Sequence, residues 1–286
     1  MLERAQFIAQ ALAMVGLLVA VALGVCLIAL VLLRRRRRAR VVLAAAALIL
    51  AVVAVIQGFH GSALGSPDQA RTGELRILSW NTNQDDVDVS AIEALIEATE
   101  PDIVVLPEYF GPIATTGLTE LTDDYAIVSA ESSAATALIR HELGEYTVDV
   151  DGVPPWAGFV AVPSASSSPR LVVAHLQAPS FTDVSLWNDH LEWAEGACSA
   201  HGDIAIGDFN ATLAHLGGPK LGECVDAAAT LSASATGTWP AWLPPSLGAQ
   251  IDHVFAGSEW TPTRFTVLGG TSGSDHRPIL VDLDRR

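Results

Sequence analysis

The sequence predicts an α/β domain in which two packed sheets are flanked by helices, preceded by two transmembrane helices. Three observations support this prediction. Two long uncharged stretches open the chain, short apolar segments with few helical patterns follow them, and several of these segments end in acids, amides or imidazoles. We therefore divide the chain into a membrane anchor over residues 1–60, a linker over 61–73 and one large domain over 74–286.

The anchor is predicted to be a hairpin of two membrane-spanning helices. Phe7–Leu33 contains no charged residue and exceeds the roughly 20 residues that a helix needs to cross a bilayer. Val41–Phe59 is a second uncharged stretch that is just long enough, and Arg34–Arg40 between them carries six arginines. Because short arginine-rich loops stay in the cytoplasm, we expect a cell-membrane protein whose large domain is extracytoplasmic.

Two further expectations depend on this orientation. An alternative for the second stretch is a signal peptide that is cut after the small residues near Ala63–Gly65. Outside the cytoplasm disulfides are permitted, so we expect a bridge between Cys198 and Cys224, with two unpaired buried thiols as the alternative.

The charge of the large domain is strongly negative. Seven of the 16 Lys and Arg residues and one of the 32 Asp and Glu residues precede residue 61, which leaves a net charge of −22 on the rest of the chain. Such a surface repels polyanions, whereas proteins that bind nucleic acids usually carry a basic patch. The composition therefore disfavours a nucleic-acid substrate.

Apolar spacing predicts two helices in the large domain, over Asp88–Thr99 and Leu186–Cys198. Trp239–Gly248 is predicted to be a long loop, whose Trp239 and Trp242 lie either at a lipid interface or buried as loop anchors. Strands are predicted over Tyr125–Ala130, Ala135–Ile139, Tyr146–Val150, Gly158–Val162 and Asp203–Gly207.

Two motifs place acids beside groups that orient or move protons. The sequence is Ile-Gly-Asp-Phe-Asn at 206–210 and Ser-Asp-His-Arg-Pro at 274–278. Each follows or precedes an apolar run, so its side chains are expected at a strand end. A carboxylate, a carboxamide and an imidazole that converge there suit metal-assisted attack of water on a phosphoester.

Four more segments combine a short apolar strand with acids, amides or imidazoles, namely Leu75–Asn83, Asp102–Tyr109, Val172–Pro179 and Ile251–Phe255. Together with the two motifs, and in this order, they resemble the endonuclease/exonuclease/phosphatase superfamily, which has the DNase I-like fold. The resemblance covers about residues 74–284. It implies a four-layer αββα sandwich of two packed mixed sheets.

The resemblance also implies a metal centre. Glu108 matches the ligand of a single Mg²⁺, for which Mn²⁺ is a possible substitute, and Asn81 lies beside it. Asp275 matches the family acid that helps to hold the metal, and Asn83 matches a further polar position nearby. Pro107 departs from the pattern, because the family commonly has Gln before this Glu.

The catalytic roles implied by the resemblance involve five residues. His276 serves as base or phosphate anchor, and Asp252 is the acid that orients it. Asp208 aligns or deprotonates the attacking water, and Asn210 donates to a phosphoryl oxygen. His175 contacts phosphate or protonates the leaving oxygen.

Two residues next to this set receive other interpretations. Arg277 is a candidate second donor to the phosphate. His253 is expected on the opposite face of its strand from Asp252, and we interpret it as structural. The remaining histidines of the domain are interpreted as surface or core residues, and these are His141, His190, His201 and His215.

The leading hypothesis is a membrane-anchored, extracytoplasmic, Mg²⁺-dependent phosphoesterase. Thr-Trp-Pro at 238–240, with the other motifs, resembles the bacterial membrane branch of the superfamily, which includes phosphatases linked to teicoplanin resistance. That resemblance implies an envelope lipid as substrate and no protein partner. The alternatives are a nuclease that acts outside the cytoplasm and a catalytically silent binding module.

Overall fold

The computed structural model describes residues 14–33, 35–58, 63–84, 86–180 and 184–286. Two helices, α1 (Val15–Leu32) and α2 (Arg37–Gly58), pack against each other at the start of the chain. Residues 7–13 of the first predicted span, Arg34 and Phe59 lie outside the described residues.

The two helices differ in their ability to cross a membrane. Among the described residues, α1 is the one helix that is long and apolar enough, whereas the apolar part of α2 is the shorter Val41–Ala51. The predicted cytoplasmic loop is also shorter than expected, because α2 already begins at Arg37. The structure thus supports one apolar span and a second, shorter apolar helix.

The described strands form two mixed sheets of seven strands each. The first sheet has the order β1-β13-β14-β2-β3-β5-β4, and its strands are β1 (Leu64–Gly65), β13 (Trp260–Leu268), β14 (Ile279–Arg285), β2 (Leu75–Ser79), β3 (Ile103–Pro107), β5 (Ala135–Arg140) and β4 (Tyr125–Ser129). The second has the order β10-β11-β12-β9-β8-β7-β6, and its strands are β10 (Lys220–Leu221), β11 (Cys224–Asp226), β12 (Asp252–Ala256), β9 (Ile204–Asp208), β8 (Leu171–His175), β7 (Gly158–Pro163) and β6 (Tyr146–Asp149).

The sheets and helices form four layers, as predicted. Side chains from both sheets make one buried core, in which residues such as Ile77 and Ile206 are fully buried. The outer face of the first sheet is covered by α3 (Val89–Thr99) and α4 (Gly111–Gly117), and that of the second by α5 (Val184–Ala197). A short helix, α6 (Ala227–Thr230), contributes to the central core.

The linker is more ordered than the sequence predicts. Leu64 and Gly65 form β1, which pairs in parallel with β13 at the edge of the first sheet. Further along, Arg71 binds the carboxylate of Asp102. The strand pairing and the Arg71–Asp102 ion pair each fix the chain at one position. This part of the predicted linker is therefore held on the domain.

The predicted bridge between Cys198 and Cys224 is present. It joins the end of the α5 layer to the first residue of β11, with the two Cα atoms 6.0 Å apart. The alternative of two unpaired thiols is therefore wrong.

The pairing of parallel strands fixes where the polar motifs meet. Strand β2 runs parallel to β3, and β8 runs parallel to β9, with His175 opposite Asp208. The carboxyl ends of all four strands therefore lie at one edge of the sandwich. Two residues just past these ends, Glu108 (φ 60°) and Asn210 (φ 47°), adopt left-handed backbone that turns the chain sharply out of the strand.

Candidate active site

A first group of side chains forms where β3, β8 and β9 end. The Asn81 amide nitrogen donates to Glu108 Oε1 at 3.0 Å and to Asp208 Oδ2 at 2.9 Å, so one amide joins the two sheets. His175 Nε2 lies 3.4 Å from Glu108 Oε1. Asn81 and Asp208 are buried, whereas Glu108 and His175 remain partly exposed, which leaves the group open to a ligand from one side.

A second group shares Asp208 with the first. Strand β12 pairs with β9 so that Asp252 stands opposite Asp208. His276 Nδ1 lies 2.9 Å from Asp252 Oδ2, and its Nε2 points towards Asp208 Oδ2 at 3.8 Å. In the structure, therefore, Asp252 contacts the His276 ring and orients it, which is the arrangement expected from the sequence.

The electrostatics of the site differ from group to group. Burial raises the pKa of Glu108, but hydrogen bonds from His175 and Asn81 outweigh it and lower the pKa to about 2. Burial lowers the pKa of His276, but the charges of Asp252 and Asp208 outweigh it and raise the pKa to about 10. At neutral pH the site thus holds a carboxylate at Glu108 and an imidazolium at His276.

Asp208 lies between these two groups. Its burial and the neighbouring charge of Asp252 raise the pKa of Asp208 to about 6, against the opposing effect of His276. A carboxyl group with this pKa is mostly ionised at neutral pH and is well matched to accept a proton.

The donor set fits a hard divalent cation. Ligand atoms of Glu108, His175 and Asp208 lie within 4.8 Å of one another, as do those of Asp208, Asp252 and His276. Within the described part of the chain, Asp252 Oδ1 is buried without a hydrogen-bond partner. Clustered carboxylates with a nearby amide, open on one side, suit Mg²⁺, which binds one or two carboxylates and keeps room for water and phosphate oxygen.

A family model described as the Endonuclease/Exonuclease/phosphatase family matches residues 78–276, a range that contains every group described above. The chain belongs to this family. Its members and their structural neighbours are metal-dependent phosphoester hydrolases, so the protein is placed among enzymes of that class. No curated protein matches the chain significantly.

Solved structures agree with the family fold. TDP2 from D. rerio, crystallised with a single-strand DNA product, is 17% identical, with a TM-score of 0.58 over 73% of this chain and 98% of that one. An endonuclease/exonuclease/phosphatase from Bacteroides vulgatus is 17% identical, with a TM-score of 0.55 over 74% and 99%. The AP endonuclease LMAP from Leishmania major is 16% identical, with a TM-score of 0.54 over 74% and 88%. At these identities the likeness establishes the fold.

Two amides of this family site are used inside it rather than towards a ligand. The Asn81 oxygen accepts the backbone N–H of Asn83 at 2.9 Å, so its nitrogen, not its oxygen, faces the carboxylates. The Asn210 nitrogen donates to Leu176 O at 2.9 Å and to Asp208 Oδ2 at 3.3 Å, which uses both of its hydrogens. In this arrangement the predicted donation from Asn210 to a phosphoryl oxygen is replaced by the fixing of Asp208.

Asp275, predicted to help hold the metal, and Asn83, predicted to lie near it, belong to neither close group of acids and histidines. Asp275 Oδ2 accepts from Trp239 Nε1 at 2.8 Å, and its Oδ1 lies 4.0 Å from His276 Nε2, so it faces the site but belongs to neither close group. The Asn83 side chain turns away and donates to Asp86 Oδ2 at 3.0 Å.

Arg277 has a different role from the one predicted. Its guanidinium is buried and donates to the carbonyl oxygens of Gly237, Ala241 and Leu243. Ala241 and Leu243 belong to the long loop that the sequence predicts over Trp239–Gly248, and Gly237 lies two residues before it. Arg277 therefore holds this loop against the site, and the predicted contact with phosphate is not available to it.

Sequence reasoning gave three supporting residues no role in the site itself. Ser274 Oγ donates to Asn81 O at 2.6 Å and accepts the His276 N–H at 2.9 Å, which ties the two groups together. Thr238 Oγ1 accepts the backbone N–H of Asp252 at 3.3 Å. Trp239 holds Asp275 as described. Ser274, Thr238 and Trp239 all stand inside the quoted motifs, so their position there was the available signal.

The Trp239–Gly248 loop also touches the N-terminal apolar helix α1. Its 3-10 turn, Pro245–Leu247, packs against the first turn of α1. A Cβ atom on Gly16 would stand only 3.0 Å from the Ser246 carbonyl oxygen. One end of the apolar helix thus contacts the loop that carries Trp239 and binds Asp275.

His253, interpreted from the sequence as structural, is part of a buried ion pair. Its Nδ1 lies 2.8 Å from Asp226 Oδ2 and its Nε2 donates to Ala211 O at 2.9 Å. Burial lowers the pKa of His253, but the hydrogen bond and charge of Asp226 outweigh it and raise the pKa above the ordinary 6.5. The ring points away from the catalytic groups and locks β12 to the start of α6.

We expect His253→Phe to destabilise the large domain by about 3–5 kcal/mol, because it leaves the buried carboxylate of Asp226 unpaired. A raised folded-state pKa means that the pair contributes fully below pH 6.5 and loses its contribution as pH rises through the folded value. Thermal unfolding of wild type and variant should therefore differ most at mildly acidic pH and less at alkaline pH. A difference that is small, or independent of pH, would show that His253 is not held as an ion pair.

Proposed function

We propose that this protein is a membrane-anchored, extracytoplasmic, Mg²⁺-dependent phosphoesterase that hydrolyses a phosphate ester or pyrophosphate of an envelope lipid. The observation that carries the proposal is the contact between the first turn of α1 and the Trp239–Gly248 loop. If α1 spans the bilayer, this contact places the rim of the catalytic groups at the level where lipid phosphates lie.

The surface around the site supports this position. Trp242, on the same loop, is 76% exposed, and half of the residues of α1 are exposed apolar groups such as Val25 and Val31. Tryptophan is enriched where membrane meets water, because its ring is apolar and its N–H is polar. An exposed Trp beside the end of an apolar helix is therefore a fitting contact with the lipid headgroup region.

The cations of the large domain argue against a polyanionic substrate. All nine Lys and Arg residues after residue 60 are described, and eight of them are bound to neighbouring groups of the protein. These eight are Arg71, Arg76, Arg140, Arg170, Arg264, Arg277, Arg285 and Arg286. Nucleic acid binding requires cations that reach several phosphates, whereas a single lipid phosphate needs the metal and one or two donors.

The residues divide the reaction between them. A divalent cation held by Glu108 would neutralise phosphoryl charge and acidify bound water. The His276 imidazolium, fixed by Asp252, binds a phosphoryl oxygen and stabilises its negative charge. Asp208 accepts the proton of the attacking water, for which its pKa of about 6 is suitable. His175, on the open side of Glu108, donates a proton to the leaving oxygen.

The proposal is tested with the full-length chain in detergent and Mg²⁺, offered an isoprenyl pyrophosphate, a phospholipid and duplex DNA at equal phosphate concentration. We expect turnover of at least one lipid phosphoester and little cleavage of DNA. A Glu108→Gln sample prepared in parallel controls for contaminating phosphatases. Efficient DNA cleavage with untouched lipids would favour the nuclease alternative, and no turnover of any substrate would favour a binding module.

The proposed orientation has its own test. We expect a reporter that is active only outside the cytoplasm to be active when fused after Arg286, because the arginines near Arg34–Arg40 hold their loop inside. A cytoplasmic reporter inserted between Arg35 and Arg36 is the matched control and should also be active. The reverse pattern would place the catalytic domain in the cytoplasm and contradict the proposal.

A further inference from the structure

A cleft opens beside the catalytic groups on the side of His175. It has a volume of about 270 Å³. It is lined by Phe110, Ala134, Trp156, His175, Gln177 and His190. This volume lies just below the range of about 300–1,000 Å³ that is typical of sites for whole small molecules, so the cleft suits one part of a larger ligand.

Trp156 is the most unusual residue of this cleft. The residue is 53% exposed, and it has left-handed backbone with φ of 68°. The backbone N–H of Trp156 donates to the backbone oxygen of Ser132 at 2.8 Å, which holds the backbone in place. A bulky residue in this conformation costs on the order of 1–3 kcal/mol and persists only where the surrounding structure enforces it. The fold thus presents an indole ring at the rim of the cleft.

The remaining lining offers little to a charged or strongly polar ligand. None of the six lining residues is an acid, a lysine or an arginine. His190 is buried, and its Nδ1 accepts the Gln177 N–H at 3.0 Å. Among the described residues, His190 Nε2 and His175 Nδ1 are the two ring nitrogens of the cleft that are buried without a hydrogen-bond partner. Phe110, Ala134 and Trp156 supply the apolar surface. A ligand gains most here by burying apolar area.

The position of His175 links the cleft to the reaction. Its Nε2 faces Glu108 Oε1 at 3.4 Å, and its ring lines the cleft. A group attached to the scissile phosphate through the oxygen that His175 protonates would therefore extend from the catalytic groups directly into the cleft.

We infer that the cleft between Phe110 and Trp156 is a binding site for the apolar chain of the substrate, next to its phosphate. This inference rests on the proposed function and specifies its substrate class: a phosphoester whose leaving group begins with an alkyl or isoprenyl chain. The continuity of the cleft with His175 and its lack of cationic residues favour such a chain over a nucleotide.

The test measures binding separately from hydrolysis. Ethyl, hexyl and decyl phosphate are titrated calorimetrically into the full-length chain carrying Asp208→Asn, in detergent with Mg²⁺, so that binding is measured while hydrolysis is suppressed. We expect the affinity of this parent chain to rise at least about tenfold from ethyl to decyl phosphate, since each buried CH₂ contributes about 0.8 kcal/mol before losses. Trp156→Ala and Phe110→Ala should each flatten this series, whereas Trp156→Phe should retain most of it.

Trp242→Ala is the matched control, because it removes an exposed indole outside the cleft and should leave the chain-length series unchanged. Thermal unfolding of each variant identifies any that fail to fold, and Phe110→Ala then tests the cleft without changing the backbone at Trp156. A steep series in both correctly folded cleft variants would overturn the inference. A second result would also overturn it: Trp156→Ala loses binding of thymidine monophosphate while its affinities for the alkyl phosphates stay unchanged. The cleft would then be a nucleotide site.

Failure of the inference and failure of the proposed function give different results. If the protein hydrolyses lipid but the dependence of affinity on chain length is the same in the Trp156 and Phe110 variants, the inference about the cleft is wrong and the proposed function is retained. A series that depends on both residues, in a protein that hydrolyses no lipid, would keep the cleft and reject the proposed function.

Discussion

Chelation of divalent cations is expected to abolish hydrolysis, and Glu108→Gln is expected to lower kcat/KM by about 10²–10³-fold. Glu108 is the acid that the fold turns sharply out of β3, and hydrogen bonds from His175 and Asn81 keep it ionised with a pKa of about 2. A metal ion contributes several kcal/mol to the stabilisation of phosphoryl charge, and each 1.36 kcal/mol corresponds to about tenfold in rate. The measurement is turnover in EDTA, followed by addition of Mg²⁺ or Mn²⁺.

Glu108→Gln keeps the size and the hydrogen-bonding ability of the side chain, so loss of activity in a variant with unchanged thermal unfolding reports on the charge. Glu131, which is exposed and lies outside the site, provides the control variant Glu131→Gln. Full activity in EDTA would contradict a metal-dependent mechanism for this protein.

Asp208→Asn and His276→Ala are each expected to lower kcat by about 10²–10⁴-fold, the usual contribution of a group that transfers a proton or stabilises transition-state charge. Asp208 is shared by both groups of the site and is held by Asn81 and Asn210. His276 carries its charge because Asp252 and Asp208 face it. Because these residues act together, the double variant should lose little more than the worse single variant.

The control for His276→Ala is His201→Ala, since His201 is exposed and bonded to Ser258 far from the site. A further variant, Asp252→Asn, separates positioning from chemistry. It keeps a partner for His276 but removes the charge that raises its pKa, so it should shift the pH profile as well as the rate. Near wild-type kcat in Asp208→Asn would exclude Asp208 as the proton acceptor.

The strand-end acids and histidines could be predicted from the sequence because each follows an apolar run. Parallel neighbours bring such ends to one edge of a sheet, so His175 and Asp208 meet once β8 and β9 are recognised. Glu108 ends a strand of the other sheet, and its approach to them depends on how the two sheets pack. The register of β12 with β9 likewise places Asp252 opposite Asp208, whereas the contact of Asp252 with His276 depends on the loop before β14.

Side chains in loops were harder to predict, because their direction depends on backbone that no periodic pattern specifies. Arg277 follows His276 directly, yet its guanidinium points into the Trp239–Gly248 loop. Asn83 turns towards Asp86 because its left-handed backbone, with φ of 51°, rotates the side chain away from the site. Trp156 had no signal at all, since one tryptophan between a proline and an alanine matches no motif.

The boundaries near the start of the chain show a similar limit. Composition predicts a flexible linker over 61–73, but Leu64 and Gly65 pair with β13 and begin the domain earlier. The arginines at 37 and 38 were expected in a loop, yet they open α2 because arginine has good helix propensity. At residues 64–65 strand pairing, and at residues 37–38 helix formation, gives a structure that differs from the one predicted by local composition.

The contact between Gly16 and the Pro245–Leu247 turn has a kinetic consequence if α1 crosses the bilayer. An enzyme whose catalytic rim is fixed at the head of its own anchor searches for substrate in two dimensions. Its rate then follows the mole fraction of substrate among the surrounding lipids, not the amount in the whole sample. Diluting the substrate with inert lipid in the same vesicle should slow turnover, whereas diluting the vesicles with buffer should leave the rate per enzyme unchanged.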